Sequence, residues 1–185
     1  MIAPASPTLQ QGENAMDIES CIRKIPDYPK KGILFYDITP MLGNGEAFRR
    51  AIDAMYEQTK DLRPTKIVSA EARGFIFGAP LALRFGIGFV PIRKPGKLPH
   101  SVLSESYDLE YGSNTLCMHE DALTAGDRAL VVDDVLATGG TAQAMARLAS
   151  QKGAVVAGFA MLMEIDALKG REKLGDIPVR SLLHV

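Results

Sequence analysis

An α/β fold with a mainly parallel central sheet flanked by helices is what this sequence predicts, on three observations. Apolar, β-branched runs of strand length occur at 66–70, 88–92, 129–132 and 154–162. Stretches of helical length, 74–84 and 141–151, separate the first pair of runs and the last pair. The chain has 185 residues, 46% hydrophobic and 23% charged, enough to bury a core in one ordinary domain. Strands joined through helices must pair in parallel, because a crossover is needed to return to the same end of the sheet. Ligands of such sheets bind beyond the carboxyl ends of the strands, so the chemistry is expected just after the strands.

Residues 1–15 are polar and rich in Pro, Gln and Gly and read as a disordered tail, leaving 16–185 as the single folded domain. Asp17 after Met16 has the character of a helix cap, and a short helix is expected from Asp17 to Arg23. Pro26 and Pro29 then force extended or turn geometry. From Glu46 to Lys60, Phe48, Ile52 and Met55 recur at helical spacing with Arg49, Arg50, Asp53 and Glu57 facing outward. Lys66–Ala70, Gly74–Arg84 and Gly88–Ile92 form one strand–helix–strand unit, and Ala129–Val132, Thr141–Gln151 and Ala154–Leu162 a second. Between Arg93 and Asp121 the chain turns polar and is punctuated by Pro95-Gly96, Pro99-His100 and Tyr111-Gly112. So long an excursion suits a lid or binding loop, with Thr115–His119 as one strand of a β-ribbon.

Composition excludes several classes. A net charge of -1 gives no basic field of the kind nucleic acid requires. The longest apolar stretch, Ala154 to Met163, falls short of the roughly 20 residues that span a bilayer. No basic segment followed by an apolar one marks a secretory signal, so a cytoplasmic location is expected. Two cysteines, Cys21 and Cys117, lie too far apart for a paired metal motif and are expected as free thiols.

The most informative segment runs Ala129-Leu-Val-Val-Asp133-Asp134-Val-Leu-Ala137-Thr138-Gly139-Gly140-Thr141 and leads directly into a helix. An apolar strand delivers two adjacent carboxylates, whose charge needs compensation by sugar hydroxyls or a hydrated cation. The glycines then let main-chain amides approach a ligand at a helix N-terminus, where the dipole favours an anion. Thr138 and Thr141 add hydroxyl donors. No lysine follows the glycines, so this is not a Walker A loop, and the pattern is not a dinucleotide fingerprint either. Carboxylates beside a phosphate cradle suit a ribose 5-phosphate.

The stretch Val131 to Thr141 resembles the PRPP-binding motif of the type I phosphoribosyltransferases. Further stretches bring the resemblance to the adenine-using members of that family: Ile25-Pro-Asp-Tyr-Pro, Gly32-Ile-Leu-Phe-Tyr-Asp-Ile-Thr39-Pro, Glu71-Ala-Arg73-Gly-Phe, Ile92-Arg93-Lys94-Pro-Gly-Lys97-Leu-Pro99, Tyr107-Asp-Leu-Glu110-Tyr111-Gly112 and Leu168-Lys-Gly-Arg-Glu-Lys173-Leu. They cover essentially everything after Ile22. The resemblance implies a parallel-sheet core with a small N-terminal hood and a mobile β-ribbon loop. It implies adenine and PRPP as substrates, AMP and pyrophosphate as products in purine salvage, an oxocarbenium-like transition state, and a homodimer.

Residue by residue, the resemblance implies that Asp133 and Asp134 anchor the ribose hydroxyls and that Ala137, Thr138, Gly139, Gly140 and Thr141 cradle the phosphate. Arg73, Arg93, Lys94 and Lys97 grip PRPP and its pyrophosphate, and Lys94 is the weakest match. Glu110 assists proton handling on the purine and Tyr111 helps close the loop hinged near Gly96 and Gly112. Leu34 reads the adenine edge through its backbone and Phe35 stacks on the ring, while Tyr36 stands where family members commonly carry arginine. Magnesium is implied as a complex with PRPP or pyrophosphate; His100, His119 and His184 have no ligand spacing, so no protein metal site is expected. Ile165–Gly175 is expected to support the site or the dimer. The same fold with a different base, xanthine, guanine or hypoxanthine, stays open at this point, whereas a DNA-binding PRPP sensor fits poorly with the non-basic chain.

Overall fold

The computed structural model describes residues 18–108 and 113–185. The expected tail and the Asp17 cap, and with them Glu110, Tyr111 and Gly112, lie outside the described residues. The chain divides into two compact units, one up to Phe48 and one from Arg49 onward.

In the first unit a 3₁₀ turn at Glu19–Cys21 replaces the expected helix, because β1 (Arg23–Pro26) already begins at Arg23. β2 (Leu34–Asp37) pairs antiparallel with β1, with Ile25 opposite Phe35. Between them, Asp27 Oδ1 accepts the Gly32 N–H at 2.6 Å, and Tyr28 packs edge-on against Phe35. A short helix α1 (Thr39–Gly43) follows, its first turn fixed by Asp37 Oδ1, which accepts the Thr39 N–H at 2.9 Å. α2 (Gly45–Thr59) starts where Asn44 Oδ1 accepts the amides of Glu46 and Ala47, and the boundary between the units falls inside this helix.

The second unit carries β3 (Lys66–Ala70), α3 (Arg73–Phe85), β4 (Gly88–Ile92), β5 (Val102–Asp108), β6 (Ser113–His119), β7 (Arg128–Leu136), α4 (Gly140–Gln151), β8 (Val155–Glu164) and β9 (Val179–His184). Five strands form one parallel sheet in the order β4-β3-β7-β8-β9. The expected parallel α/β core is therefore present. Its strands read as apolar runs because both faces are covered: Ile67, Val68, Leu130, Val131 and Val132 are fully buried, as are Phe159 and Met161. β5 and β6 form a separate antiparallel ribbon, of which only the second strand was expected. Arg93 joins β6 through a two-way backbone bridge with Cys117, at 2.9 and 2.7 Å.

Chain direction positions the site. From β3 the chain crosses through α3 to β4 on one side, and from β7 it crosses through α4 to β8 on the other. The order reverses between β3 and β7, and right-handed crossovers put α3 and α4 on opposite faces. A crevice opens at the carboxyl ends of these two strands, the usual ligand position in such sheets. The β3–β7 ladder ends at Ser69 opposite Val132, while β7 runs on to Leu136 alongside β8.

Candidate active site

Two segments converge in the crevice. After β3 comes Glu71-Ala72, joined by a cis peptide bond, and α3 then begins at Arg73. β7 carries Asp133 and Asp134 within its last turns instead of beyond its end, since pairing with β8 continues as far as Leu136 opposite Glu164. A cavity of about 210 Å³ lies between them, lined by Arg73 and the run from Asp133 to Ala142. A larger open groove of about 710 Å³ runs along the outer side of α4, past Glu105, Arg147 and Lys173, but contains neither the paired carboxylates nor the glycine turn.

The aspartates have different environments. Asp134 is 4% exposed, and its Oδ2 sits 2.9 Å from Arg73 Nε without hydrogen-bond alignment. Asp133 Oδ1 accepts the Asp134 N–H at 2.9 Å. Burial, reinforced by the neighbouring Asp134 charge, pushes the Asp133 carboxyl well above the ordinary aspartate value of 3.8. Gly74 makes this proximity feasible, for a Cβ there would meet Ser69 Oγ and Asp133 Oδ1 at 2.6 and 2.8 Å. The N-terminus of α3 can thus lie against Asp133, with its dipole favouring the carboxylate.

The turn after β7 depends on a second close approach. Gly139, with φ +80°, caps α4, and its Cβ position is filled by the carbonyl of Gly170. A Cβ on Gly170 would in turn strike the Ala137 carbonyl and the Gly139 nitrogen. Gly170 belongs to a pair of 3₁₀ turns, Asp166–Leu168 and Gly170–Leu174, in the segment expected to support the site. Side-chain hydrogen bonds hold the segment there. Gln143 of α4 donates to the Lys173 carbonyl at 2.9 Å, and Arg171 forks onto Glu164 with Nε at 3.0 Å and Nη2 at 2.5 Å. Ser181 of β9 donates to the same carboxylate at 2.8 Å. Glu164 is 4% exposed, and its bonds to Arg171 first, then Ser181, hold its pKa below the ordinary value.

A depressed carboxylate stabilises the fold above its unfolded pKa, and that contribution is lost as pH falls through the folded value. Glu164→Gln is therefore expected to lower the melting temperature at pH 7, with the difference from wild type narrowing as pH falls below the ordinary glutamate range and closing only once pH has passed the lowered folded value. Melting curves across pH 3–8 check this; a pH-independent difference would contradict it.

The structure brings together Arg73, Asp133, Asp134 and Ala137–Thr141. Arg93 does not line this cavity, and three of its N–H donors are bonded outside it. Its Nε and Nη2 contact Glu71 Oε2 at 3.0 and 2.9 Å, and Nη1 reaches the Lys97 carbonyl at 3.2 Å. Glu71 Oε1 also accepts the Lys94 N–H at 2.7 Å; that bond above all, with Arg93, lowers the Glu71 pKa. Lys94 and Lys97 are exposed in the turn around Gly96 (φ +76°) and do not line the cavity. Leu34, Phe35 and Tyr36 lie on β2 of the first unit; Leu34 is 43% exposed, unusual for a leucine, and the other two are half-buried. Both cysteines are free.

Sequence reasoning did not give Glu71 a role, although a carboxylate two residues before Arg73 and immediately after a buried strand was a readable signal. The Glu164–Arg171 pair and the close approach of Gly170 had no such signal, since their partners lie seven and about thirty residues away.

Residues 40–182 match the phosphoribosyl transferase domain model. The chain is 56% identical to the adenine phosphoribosyltransferase of Solidesulfovibrio magneticus over 170 residues, 92% of this chain and 99% of that protein. The crystal structure of adenine phosphoribosyltransferase from Thermoanaerobacter pseudethanolicus superposes with a TM-score of 0.88 at 48% identity, covering 91% of this chain and 98% of that one. The Saccharomyces cerevisiae enzyme, complexed with an imino-altritol bisphosphate and adenine, has a TM-score of 0.84 at 40% identity over 90% and 96% of the two chains. With a domain match over most of the chain, relatives at about half identity over nearly their whole length and a shared overall fold, the chain belongs to the adenine phosphoribosyltransferase family.

Proposed function

We propose that the protein transfers the phosphoribosyl group of PRPP to adenine, releasing pyrophosphate and forming AMP, a purine salvage reaction. The observation that carries this reading is the cavity in which Asp133 and Asp134 stand directly before a glycine turn at the N-terminus of α4, with Arg73 closing the opposite side. Hydroxyls of a ribose fit the carboxylates, and its 5-phosphate fits the amides of residues 138–141.

The bond from C1 to the pyrophosphate oxygen breaks as the bond from C1 to the adenine nitrogen forms, with positive charge developing on the sugar. Asp133 and Asp134 place negative charge beside that cation, so they act more strongly in the transition state than in the ground state. Arg73, the cation in the lining of this cavity, is assigned to the leaving group. Arg93, Lys94 and Lys97 belong to the adjoining turn, and Glu71 braces that turn. Glu110 is assigned the purine proton and Tyr111 loop closure. Leu34 and Phe35 are assigned the base, with Tyr36 giving a phenol where relatives commonly carry arginine.

Magnesium brought as a complex with PRPP or pyrophosphate would supply neutralisation of the leaving polyanion, and Asp133 and Asp134 are the carboxylates of this cavity that would face it. In support of that role, the cavity lining includes the hard carboxylate oxygens of Asp133 and of Asp134, the latter already beside Arg73. Among the described residues, the cluster close enough to cage an ion is Glu164, Asp166 and His184, none of which lines this cavity, and Glu164 is claimed by Arg171. A cytoplasmic homodimer completes the reading. No helix among the described residues is long and apolar enough to cross a membrane.

Incubation with magnesium, PRPP and each of adenine, hypoxanthine, guanine and xanthine tests the reading. Pyrophosphate release is expected with adenine at least roughly 100-fold faster than with any 6-oxo base, because a mismatched edge leaves buried polar groups unpaired. Equal rates with hypoxanthine would overturn the base assignment.

A further inference from the structure

One polar contact joins the ribbon to the phosphate turn and has no part in the chemistry above. Tyr107, near the end of β5, packs against the main core and puts its hydroxyl 3.0 Å from Thr141 Oγ1, in the first turn of α4. Asn114 of β6, which pairs with Tyr107 across the ribbon, donates its side-chain N–H to the same phenol oxygen at 3.5 Å. We propose that Tyr107 is a positioning residue for the phosphate turn, holding the Thr141 hydroxyl so that its proton points at the bound 5-phosphate. This rests on the reading of the turn as a 5-phosphate site.

The direction of the relay follows from its ends. An amide N–H can only donate, so the Tyr107 oxygen accepts from Asn114 and keeps its own proton for Thr141. Phosphate oxygens at the other end only accept. Thr141, having accepted from Tyr107, has its proton left for them. A hydroxyl without such an anchor rotates freely and can present its lone pairs to the anion. In the relay each donor polarises the next, and the rotational freedom is removed before the ligand arrives. A Tyr107 that merely packs the ribbon against α4 would need no hydroxyl for this.

The test compares wild type, Tyr107→Phe, Thr141→Val and the double variant by titration with AMP, by KM for PRPP and for adenine, and by thermal melting. Tyr107→Phe is expected to weaken AMP binding and raise KM for PRPP roughly fivefold, the effect of one hydrogen bond. KM for adenine should stay within about twofold, and in the Thr141→Val background the Tyr107 change should add no further loss. Asn114→Ala should act in the same direction with a smaller effect, giving a second route if Tyr107→Phe fails to fold. Thr115→Val, which removes only the 2.9 Å Ser106–Thr115 hydroxyl pair of the ribbon, should leave AMP affinity unchanged. Unaltered AMP affinity in Tyr107→Phe, an equal rise in KM for adenine, or additive losses in the double variant would overturn the inference. Failure of the wild-type protein to bind AMP would instead overturn the phosphate reading of the turn, and this inference with it.

Discussion

Asp133→Asn is expected to reduce kcat roughly 100- to 1,000-fold, the scale seen when one preorganised charge-stabilising group is removed, while AMP affinity falls by no more than about tenfold. The same substitution is expected to raise stability. Asp133 sits among buried groups with Asp134 beside it, and both raise its pKa. A carboxyl whose folded pKa lies above its unfolded one binds its proton more tightly in the native state. Its stability contribution is complete below the unfolded value and is lost as pH rises through the folded value. Above the ordinary aspartate range the wild-type fold therefore bears a cost that asparagine lacks, because burial and Asp134 disfavour the ionised form, while the amide oxygen can still accept the Asp134 N–H. We expect a gain of about 1 kcal/mol, or roughly 2–4 °C, at pH 7, shrinking as pH approaches 4. Melting curves over that range and steady-state rates check both halves. A variant that melts lower than wild type at pH 7, or keeps its kcat, contradicts the account.

Gly139→Ala should be the most damaging change in the phosphate turn. At φ +80° an alanine is strained, and its Cβ would occupy the space held by the Gly170 main-chain carbonyl, which no side-chain rotation can clear. We expect a loss of about 2–3 kcal/mol in stability. Because the turn must shift to relieve the clash, AMP binding should weaken by roughly 100-fold or more, the scale on which misplacement of about an ångström acts. Gly45→Ala is the matching control, with nothing within 4 Å of the added Cβ and an ordinary helical position at the start of α2. It should stabilise the protein by a few tenths to about 1 kcal/mol. Titration with AMP and thermal melting of both variants distinguish a local collision from a general intolerance of lost glycines.

How much of this was legible beforehand depended on how far apart the causes lie in the chain. The two strand–helix–strand units were readable because buried parallel strands are apolar throughout and their crossovers carry helical periodicity, so pattern and structure agree within a residue or two at α3 and α4. β7 was read as ending at Val132 because Asp133 interrupts the apolar run. It continues because β8 offers pairing partners as far as Glu164, which the local sequence cannot reveal. β2, α1 and β9 are short and only partly buried, leaving too few periods to detect, and the Glu19–Cys21 turn fell inside a helix that β1 cut short. In the site, Asp133–Thr141 was legible since its parts are adjacent in sequence. Arg73 followed from its place after β3. Arg93 was expected on phosphate, yet its guanidinium meets Glu71, a pairing across 22 residues that depends on β3 and β4 lying side by side.

The overhang of β7 past β3 makes the crevice an unfinished part of the sheet. On one flank, Asp133 to Leu136 are locked into register by β8; on the other, the neighbouring strand has departed. A strand walls one side of the crevice and the start of a helix the other, where Gly74 lies against Asp133 and Arg73 beside Asp134, so the two aspartates are held by elements of different kinds.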